Sequence, residues 1–326
     1  MQAIVHRRYG GPEVLALAEV DLPTIAEDEV LVRVHASSVN PYDWRFMRGD
    51  PALLRAVAGL RRPRQPILGA DVAGRVEAVG GTVTRFRVGD EVYGLLPSRG
   101  CFAEHVAVPE RMLAGKPANL TFAQAAAVPL GALTALQSLR DHRRIEPGAA
   151  VLVNGSSGGV GTFAVQIAKA FGARVTGVCS TRNVDMVRGL GADHVVDYTR
   201  QDFVSGASHY DLLVDNVGNR RLRDLRRVLQ PDGMLMLVTV LQPMTFWTGV
   251  PRSSMKVAVA KRAWSQQVVS LPMVRPRTAD LDLLTGLIES GEVTPVIDRT
   301  WPLRDTADAI AYVEAGHARG KVVITV

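Results

Sequence analysis

The segment over residues 151–161, Val-Leu-Val-Asn-Gly-Ser-Ser-Gly-Gly-Val-Gly, is the feature that most constrains the fold. Its apolar start predicts a buried strand, and its glycines, three residues apart, predict a tight turn into a helix. A glycine-rich turn between a strand and a helix is the context in which a dinucleotide is bound. A purely structural turn is the alternative, but the ordered strands and helices that follow favour ligand binding.

The loop residues have distinct expected roles. Gly158 lets the backbone approach a diphosphate, and Gly161 lets helix and strand pack closely. The amides at the helix start can bind the phosphates, aided by the helix dipole. Ser156 stands where the common G-x-G-x-x-G pattern has its first glycine. The predicted contacts are Gly155, Ser156, Gly158, Gly159, Val160 and Gly161.

Strand-like and helix-like segments alternate after residue 147. Strands are predicted at residues 150–153, 174–178, 194–196, 211–214 and 234–240, and helices at 159–171, 184–190 and 221–229. Near-continuous apolar strands between helices indicate a parallel sheet covered on both faces. Right-handed crossovers then give a doubly wound α/β fold.

The first third of the chain is different, with short alternating segments punctuated by Gly and Pro. Strands are predicted at residues 3–5, 14–20, 30–39, 72–79 and 102–108. Thr121 is expected to cap a helix that begins at Phe122. After a predicted helix at 279–290, strand-like residues return at 293–301 and 321–326, around a short helix near 307–314.

The end of the second predicted strand indicates which nicotinamide cofactor fits. A site for NAD usually places an acid there, to bind the ribose 2′-hydroxyl. This chain instead has Ser180, Arg182 and Asn183, with hydrogen-bond donors and a positive charge for a 2′-phosphate. The sequence therefore predicts NADPH; the alternative is that Arg182 is only a solvated side chain.

Composition excludes several classes of protein. Two cysteines that share no motif cannot build a disulfide framework or a cysteine metal site, and they favour a reducing, cytoplasmic location. The longest apolar run is far shorter than a membrane span needs, and the start lacks the apolar core of a signal peptide. The net charge of +6 is too dilute to indicate a nucleic-acid partner.

Residues 45–66 form a basic, proline-rich segment, expected to be a long loop with a short helix near 52–58. A solvated basic lid is the first interpretation of such a charge run. A rim that steers acidic acceptors is the second. Nucleic-acid contact is the third, and no interleaved aromatic residues support it.

Further motifs occur at residues 39–43, 68–74, 88–94, 134–135, 190–193 and 320–323. Together with the glycine loop, they resemble the medium-chain dehydrogenase/reductase superfamily, in its zeta-crystallin and quinone oxidoreductase branch. The resemblance implies a GroES-like β-barrel catalytic domain, residues 1–122 and 291–326, interrupted by a Rossmann domain at 123–290. It also implies a homodimer formed through the edge of the Rossmann sheet.

The zinc enzymes of that superfamily differ from this chain at their metal ligands. Ala70 stands where the ligand His is expected, Asp43 falls near the place of the ligand Cys, and no cysteine lobe is present. Three or four ligands for zinc cannot be assembled. Without a Lewis acid, the chain is expected to reduce an activated acceptor, a quinone or an α,β-unsaturated carbonyl, rather than to oxidise an alcohol.

The resemblance also implies roles for single residues. Tyr42 and Asp43 are the candidate proton donors; the alternative for Asp43 is a bond to backbone or to Arg45 that only shapes the pocket. A backbone-bonded helix hydroxyl is the equal alternative for Thr134, and a solvated charge the alternative for Lys321. The other predicted cofactor contacts are Asn40, Thr134, Tyr198, Asn216, Val217, Val240 and Lys321.

Two further functions stay open at this stage. One is a zinc-free, NAD(P)-dependent alcohol or carbonyl dehydrogenase. The other is an NADPH-binding protein with little turnover, acting as a sensor or a structural protein. The glycine loop is compatible with all three.

Overall fold

The computed structural model describes residues 1–52, 54–97, 99–142, 145–206, 209–238, 267–270, 274–316 and 318–326. Its strands are β1 Gln2–His6, β2 Leu15–Glu19, β3 Glu29–Val39, β4 Asp71–Val79, β5 Glu91–Leu95, β6 His105–Pro109, β7 Leu113–Gly115, β8 Ala150–Asn154, β9 Arg174–Cys179, β10 His194–Asp197, β11 Tyr210–Asp215, β12 Leu229–Leu237, β13 Gln267–Ser270, β14 Ile297–Pro302 and β15 Lys321–Thr325. Its α-helices are α1 Pro41–Arg48, α2 Leu54–Ala58, α3 Phe122–Ala126, α4 Pro129–Arg140, α5 Gly161–Ala170, α6 Val184–Gly189, α7 Leu222–Arg227, α8 Thr278–Glu289 and α9 Thr306–Glu314.

The chain divides into two compact units. Unit 1 consists of Met1–Leu133, Arg275–Gly291 and Pro295–Val326, and unit 2 consists of Thr134–Val274 and Glu292–Thr294. Unit 2 therefore interrupts unit 1 in sequence. Among the described residues, no helix has the length and apolar character needed to cross a bilayer.

Unit 2 contains a six-stranded sheet in the order β10-β9-β8-β11-β12-β13, and every neighbouring pair is parallel. This is the order of a doubly wound dinucleotide-binding sheet, which confirms the predicted fold class. The inner strands are apolar along their length because helices cover both faces. The order reverses between β8 and β11, so ligand-binding loops are expected where these two strands end.

Unit 1 is built on a seven-stranded sheet in the order β14-β15-β3-β4-β5-β7, with β6 paired to β3. All pairs except β14-β15 are antiparallel. The long strand β3 contacts three neighbours, so it joins the amino-terminal strands to β15 near residue 321. The strand-like tail thus completes the sheet that the first third begins.

The unit boundaries differ from the predicted domain boundaries at 122 and 290. Helix α8, expected in the Rossmann domain, lies in unit 1. There Tyr93 donates a hydrogen bond to the carbonyl of Leu281 at 2.8 Å, and Asn119 donates to the carbonyl of Ile288 at 2.8 Å. A helical pattern does not reveal its distant partners, so sequence alone could not show which unit this helix packs in.

The basic segment 45–66 is less irregular than predicted. Its first residues belong to α1, which begins at Pro41 because Asp43 accepts the amide of Asn40 at 2.7 Å. The helix ends at Arg48, and the following Gly49 has a left-handed φ of +60°. The short helix α2 agrees with the prediction. The cap at Thr121 is also confirmed, since its hydroxyl accepts the amide of Gln124 at 3.3 Å.

We expect Gly161→Ala to destabilise the chain by about 1–3 kcal/mol. A Cβ at Gly161 would lie 2.1 Å from the carbonyl oxygen of Gly155 and 2.7 Å from the Cα of Ser156, both backbone atoms that cannot easily move. Urea unfolding measures the change. The control is Gly286→Ala, an exposed position in α8 with no atom within 4 Å of the added Cβ. There alanine should stabilise the helix slightly; equal losses in both variants would contradict the packing argument.

Candidate functional site

The glycine loop that follows β8 presents free amides at the start of α5. The amides of Gly155 and Ser156 both donate to the carbonyl of Val178, at 3.2 and 3.0 Å. The amides of Gly159 and Val160 have no hydrogen-bond acceptor among the described residues, and α5 has no side-chain cap. Unpaired amides at a helix start are the groups that bind a diphosphate.

Three other loop residues serve the turn itself. Ser156 is fully buried and its hydroxyl donates to Val178 at 3.0 Å, so it ties the loop to β9 rather than facing a ligand. The predicted contact of Ser156 with a cofactor is therefore corrected to a structural role. Gly161 permits the close approach described above. Gly158 is open, because an added Cβ would meet only the Gly155 carbonyl at 3.6 Å.

The end of β9 carries the side chains predicted to select the cofactor. Ser180 is half-buried, Arg182 is exposed, and Tyr198 is exposed with its amide donating to the Cys179 carbonyl at 3.0 Å. Parallel pairing of β9 with β10 brings Tyr198 beside this strand end. The structure thus assembles three of the predicted residues at one corner of the sheet.

Asn183 connects this corner to the glycine loop. Its amide nitrogen donates to the hydroxyl of Ser157 at 3.0 Å and to that of Ser180 at 3.3 Å. The side chain is buried, and its oxygen has no hydrogen-bond partner in the part of the chain that the structure describes. Asn183 therefore positions both loops, a role that sequence reasoning did not distinguish from ligand contact.

Sequence reasoning missed an acid near the same corner. Asp197 ends β10, and its carboxylate accepts hydrogen bonds from the hydroxyls of Thr181 at 2.6 Å and Thr199 at 2.7 Å. These bonds, with the charge of Arg200, hold the pKa of Asp197 below its ordinary value. The residue comes from the neighbouring strand, so inspecting the end of β9 alone could not find it.

Polar side chains also gather where β11 ends, beside the glycine loop strand. Asp215 is fully buried and accepts the side-chain amide of Asn154 at 2.8 Å and the backbone amides of Val217 and Gly218 at 3.1 and 3.0 Å. The amide nitrogen of Asn216 donates to the Asn154 carbonyl at 3.0 Å. Asp215 Oδ2 and Asn216 Oδ1 are buried, and neither has a hydrogen-bond partner among the residues described. This cluster lies at the point where the strand order reverses.

The remaining predicted contacts of unit 2 are less informative. Thr134 lies in α4 and is 7% exposed, which leaves its two interpretations open. Val240 lies outside the described residues.

Unit 1 holds a buried polar network centred on Asp71. Its Oδ2 accepts hydrogen bonds from the hydroxyl of Ser38, from the amide of Asn40 at 2.9 Å and from the ammonium of Lys321 at 3.2 Å. Its Oδ1 accepts the backbone amide of Leu130, at the start of α4, at 2.8 Å. Asp71 and Lys321 are 0% and 2% exposed, so this is a buried ion pair.

The network corrects the predicted role of Lys321, and it limits the atoms through which Asn40 can contact a ligand. Lys321 does not extend toward a phosphate; its ammonium binds Asn40 Oδ1 and Asp71. Both amide protons of Asn40 are used, by the Ser38 carbonyl at 3.1 Å and by Asp71. Asn40 can therefore meet a ligand only through the remaining lone pair of its oxygen. A lysine that opens an apolar strand, as Lys321 does, was the available signal of a buried partner.

Asp43 is buried against backbone. Its two oxygens accept the amides of Asn40 at 2.7 Å and Gly69 at 3.1 Å. Burial raises the pKa of Asp43 to about 7, and the charge of Asp71 adds to the rise, while the two amides and Lys321 oppose it. The bonds fit the alternative that Asp43 shapes the pocket; its catalytic role stays a prediction.

Tyr42 lies in α1, half-buried, with its ring 4.3 Å from that of Phe46, and it lines an open cavity of unit 1. The structure therefore gives Tyr42 access to a bound molecule, whereas Asp43 is 0% exposed.

Comparisons with known proteins add a family to this geometry. The family model for the alcohol dehydrogenase GroES-like domain matches residues 26–118, and the model described as zinc-binding dehydrogenase matches residues 190–324. A quinone-oxidoreductase homolog of Spinacia oleracea is 32% identical, covering 99% of this chain and 98% of its own. The NADPH-dependent alkenal/one oxidoreductase of Arabidopsis thaliana is 34% identical, covering 99% and 79%.

Solved structures agree with these relatives. The quinone oxidoreductase from Coxiella burnetii has a TM-score of 0.88 at 29% identity, covering 100% of this chain and 99% of its own. The Escherichia coli quinone oxidoreductase complexed with NADPH has a TM-score of 0.84 at 25% identity, with both chains fully covered.

Fold and site together define an oxidoreductase in which a GroES-like unit is interrupted by a Rossmann unit. The chain belongs to the medium-chain dehydrogenase/reductase superfamily, in its quinone oxidoreductase branch.

We expect Lys321→Met to cost about 3–5 kcal/mol of unfolding free energy, because it leaves the buried Asp71 carboxylate without its counter-ion. Lys169→Met is the control, since Lys169 pairs with Asp193 at 2.8 Å on the surface, where a pair contributes about 1 kcal/mol or less. Urea unfolding of both variants gives the comparison. Similar small losses would show that the Lys321 pair is not the anchor of unit 1.

We expect Asp43 to make the stability of the chain fall as pH rises from about 4 to 7. The pKa of Asp43 is about 7 when folded, against an ordinary 3.8, so the folded chain holds a proton that the unfolded chain has lost. This contribution is complete below pH 3.8 and is lost through pH 7, with a slope of up to about 1.4 kcal/mol per pH unit. Unfolding of the wild type and Asp43→Asn across this range measures it; a constant difference between them would contradict the shift.

Proposed function

We propose that this chain is a zinc-independent, NADPH-dependent reductase of quinones or α,β-unsaturated carbonyls. One observation carries the proposal. The backbone amides of Gly159 and Val160 donate no hydrogen bond among the described residues, and they lie near the strand end that carries Ser180 and Arg182. The relatives' names and the NADPH-bound E. coli structure support the same cofactor and acceptors.

The residues of unit 2 fit NADPH in two places. The amides of Gly159 and Val160 would hold the diphosphate, with Gly158 leaving room for its approach. The 2′-phosphate would be held by Ser180, Arg182 and Tyr198. The hydrogen bond from Thr181 and the ion pair with Arg200 reduce the repulsion between the Asp197 carboxylate and that phosphate. Bound there, the reduced nicotinamide would supply the hydride for the acceptor.

The donor network of unit 1 supports zinc independence. Asp71 Oδ2 already accepts from three donors, and both oxygens of Asp43 accept backbone amides, so both carboxylates are engaged with donors of the protein itself. Ala70 supplies no ligand atom. Among the described residues, no group of three or more His, Cys, Asp or Glu side chains could hold a metal. Without a bound Lewis acid, acceptors that are already activated are favoured.

The direct test mixes the purified chain with NADPH and a panel of quinones and enones, and follows nicotinamide absorbance. Oxidation of NADPH that persists after dialysis against a chelator is the expected result. Binding of NADPH without turnover would favour the sensor or structural alternative. Loss of activity on chelation, restored by zinc, would overturn the zinc-independent proposal.

We expect Arg182→Ala to raise the Kd for NADPH about 10- to 100-fold, the loss of a charged hydrogen bond. The Kd for NADH should change by about twofold or less, because NADH lacks the 2′-phosphate. The control is Arg174→Ala, an exposed arginine at the start of β9, whereas Arg182 follows the end of that strand. Fluorescence titration of both nucleotides decides the matter; equal weakening of NADPH and NADH would remove Arg182 from the phosphate site.

A further inference from the structure

Unit 1 contains an open cavity of about 120 Å³. It lies between the end of β1, helix α1 and residues 57–69. Most of its wall is apolar, formed by Phe46, Val57, Ala58, Pro63, Ile67 and Leu68. The adjoining rings of Tyr42 and Phe46 give one wall that suits a planar molecule.

His6, at the end of β1, lines this cavity and is only 2% exposed. Its Nδ1 lies 2.9 Å from the carbonyl oxygen of Pro66, which can only accept, so Nδ1 carries the proton. Burial lowers the pKa of His6, which keeps the ring neutral. In a neutral imidazole with a protonated Nδ1, Nε2 is an acceptor. Within the described ranges, the bond from Nδ1 to Pro66 is the side-chain hydrogen bond that His6 forms, and none is found at Nε2.

We propose that the cavity binds the reducible acceptor and that His6 Nε2 accepts a hydrogen bond from a hydroxyl group on it. The inference rests on the proposed function and names its substrate class: phenolic or otherwise hydroxylated enones and quinones. An acceptor with an ether or a hydrogen in that place leaves the lone pair of Nε2 buried and unpaired. Sites built to bind a hydroxyl discriminate strongly against analogues that lack it.

Three enones of the same skeleton test the proposal: p-hydroxybenzalacetone, p-methoxybenzalacetone and benzalacetone. The hydroxyl and methoxy groups donate electrons to the ring similarly, but only the hydroxyl donates a hydrogen bond. For the wild type with saturating NADPH, we expect kcat/KM for the hydroxyl compound to exceed that for the methoxy compound about tenfold or more, mainly through KM. Equal values would overturn the proposal.

Two substitutions separate the nitrogen atoms of the ring. The amide of Asn in His6→Asn can keep the bond to Pro66 but has no acceptor at the Nε2 position, so the preference should fall to about twofold or less. The longer side chain of His6→Gln can place its oxygen near the Nε2 position, so the preference should persist. Val57→Ala, on the cavity wall, should change both probes by the same factor. A preference retained in His6→Asn would overturn the role of Nε2.

A direct binding measurement separates this inference from the proposed function. The ¹⁵N resonance of His6 Nε2 should shift when the saturated ketone from p-hydroxybenzalacetone is added to wild-type protein, and should not shift with the methoxy analogue. This holds even if His6 variants fail to fold. If no enone is reduced but the shift is seen, the proposed function fails while the cavity assignment stands. If enones are reduced without a shift, the inference about His6 fails alone.

Discussion

Asp71 and Lys321 form the interaction on which unit 1 depends. They open two strands of one sheet, β4 and β15, and both are buried. A buried pair rarely adds net stability, because desolvation offsets the attraction, but loss of one partner is costly. The pair therefore acts as a condition of correct assembly. Sheet, helix α4 and the Asn40 turn all contribute donors to the same carboxylate.

This network also determines what the neighbouring residues can do. Asn40 uses both amide protons within the protein, and Asp43 uses both oxygens as a cap and as an anchor for Gly69. Backbone groups, the Asp71 carboxylate and the Lys321 ammonium therefore bind the polar atoms of both side chains, so hydrogen bonds hold this part of unit 1 together.

The glycine loop and the doubly wound sheet could be predicted from the sequence because their signals are local. A strand, a turn and a helix lie within residues 150–170, and the structure places Gly159 and Val160 just before the start of α5. The roles of Lys321, Asp197 and α8 could not be found in this way. Lys321 meets a carboxylate 250 residues away, and Asp197 reaches a corner that belongs to a neighbouring strand. From its position in a motif, Lys321 was predicted to contact a phosphate of the cofactor. In the folded chain it binds the Asp71 carboxylate instead.

The interruption of unit 1 by unit 2 has a consequence for biosynthesis. Asp71 leaves the ribosome 250 residues before Lys321, so a nascent chain carries a carboxylate without its ammonium while the whole Rossmann unit is made. The described strands of unit 2, β8–β13, are all made before β15, so unit 2 can fold before the sheet of unit 1 is complete. The amino-terminal strands therefore stay incompletely paired during that time. Unpaired strand edges of this kind are surfaces to which chaperones can bind.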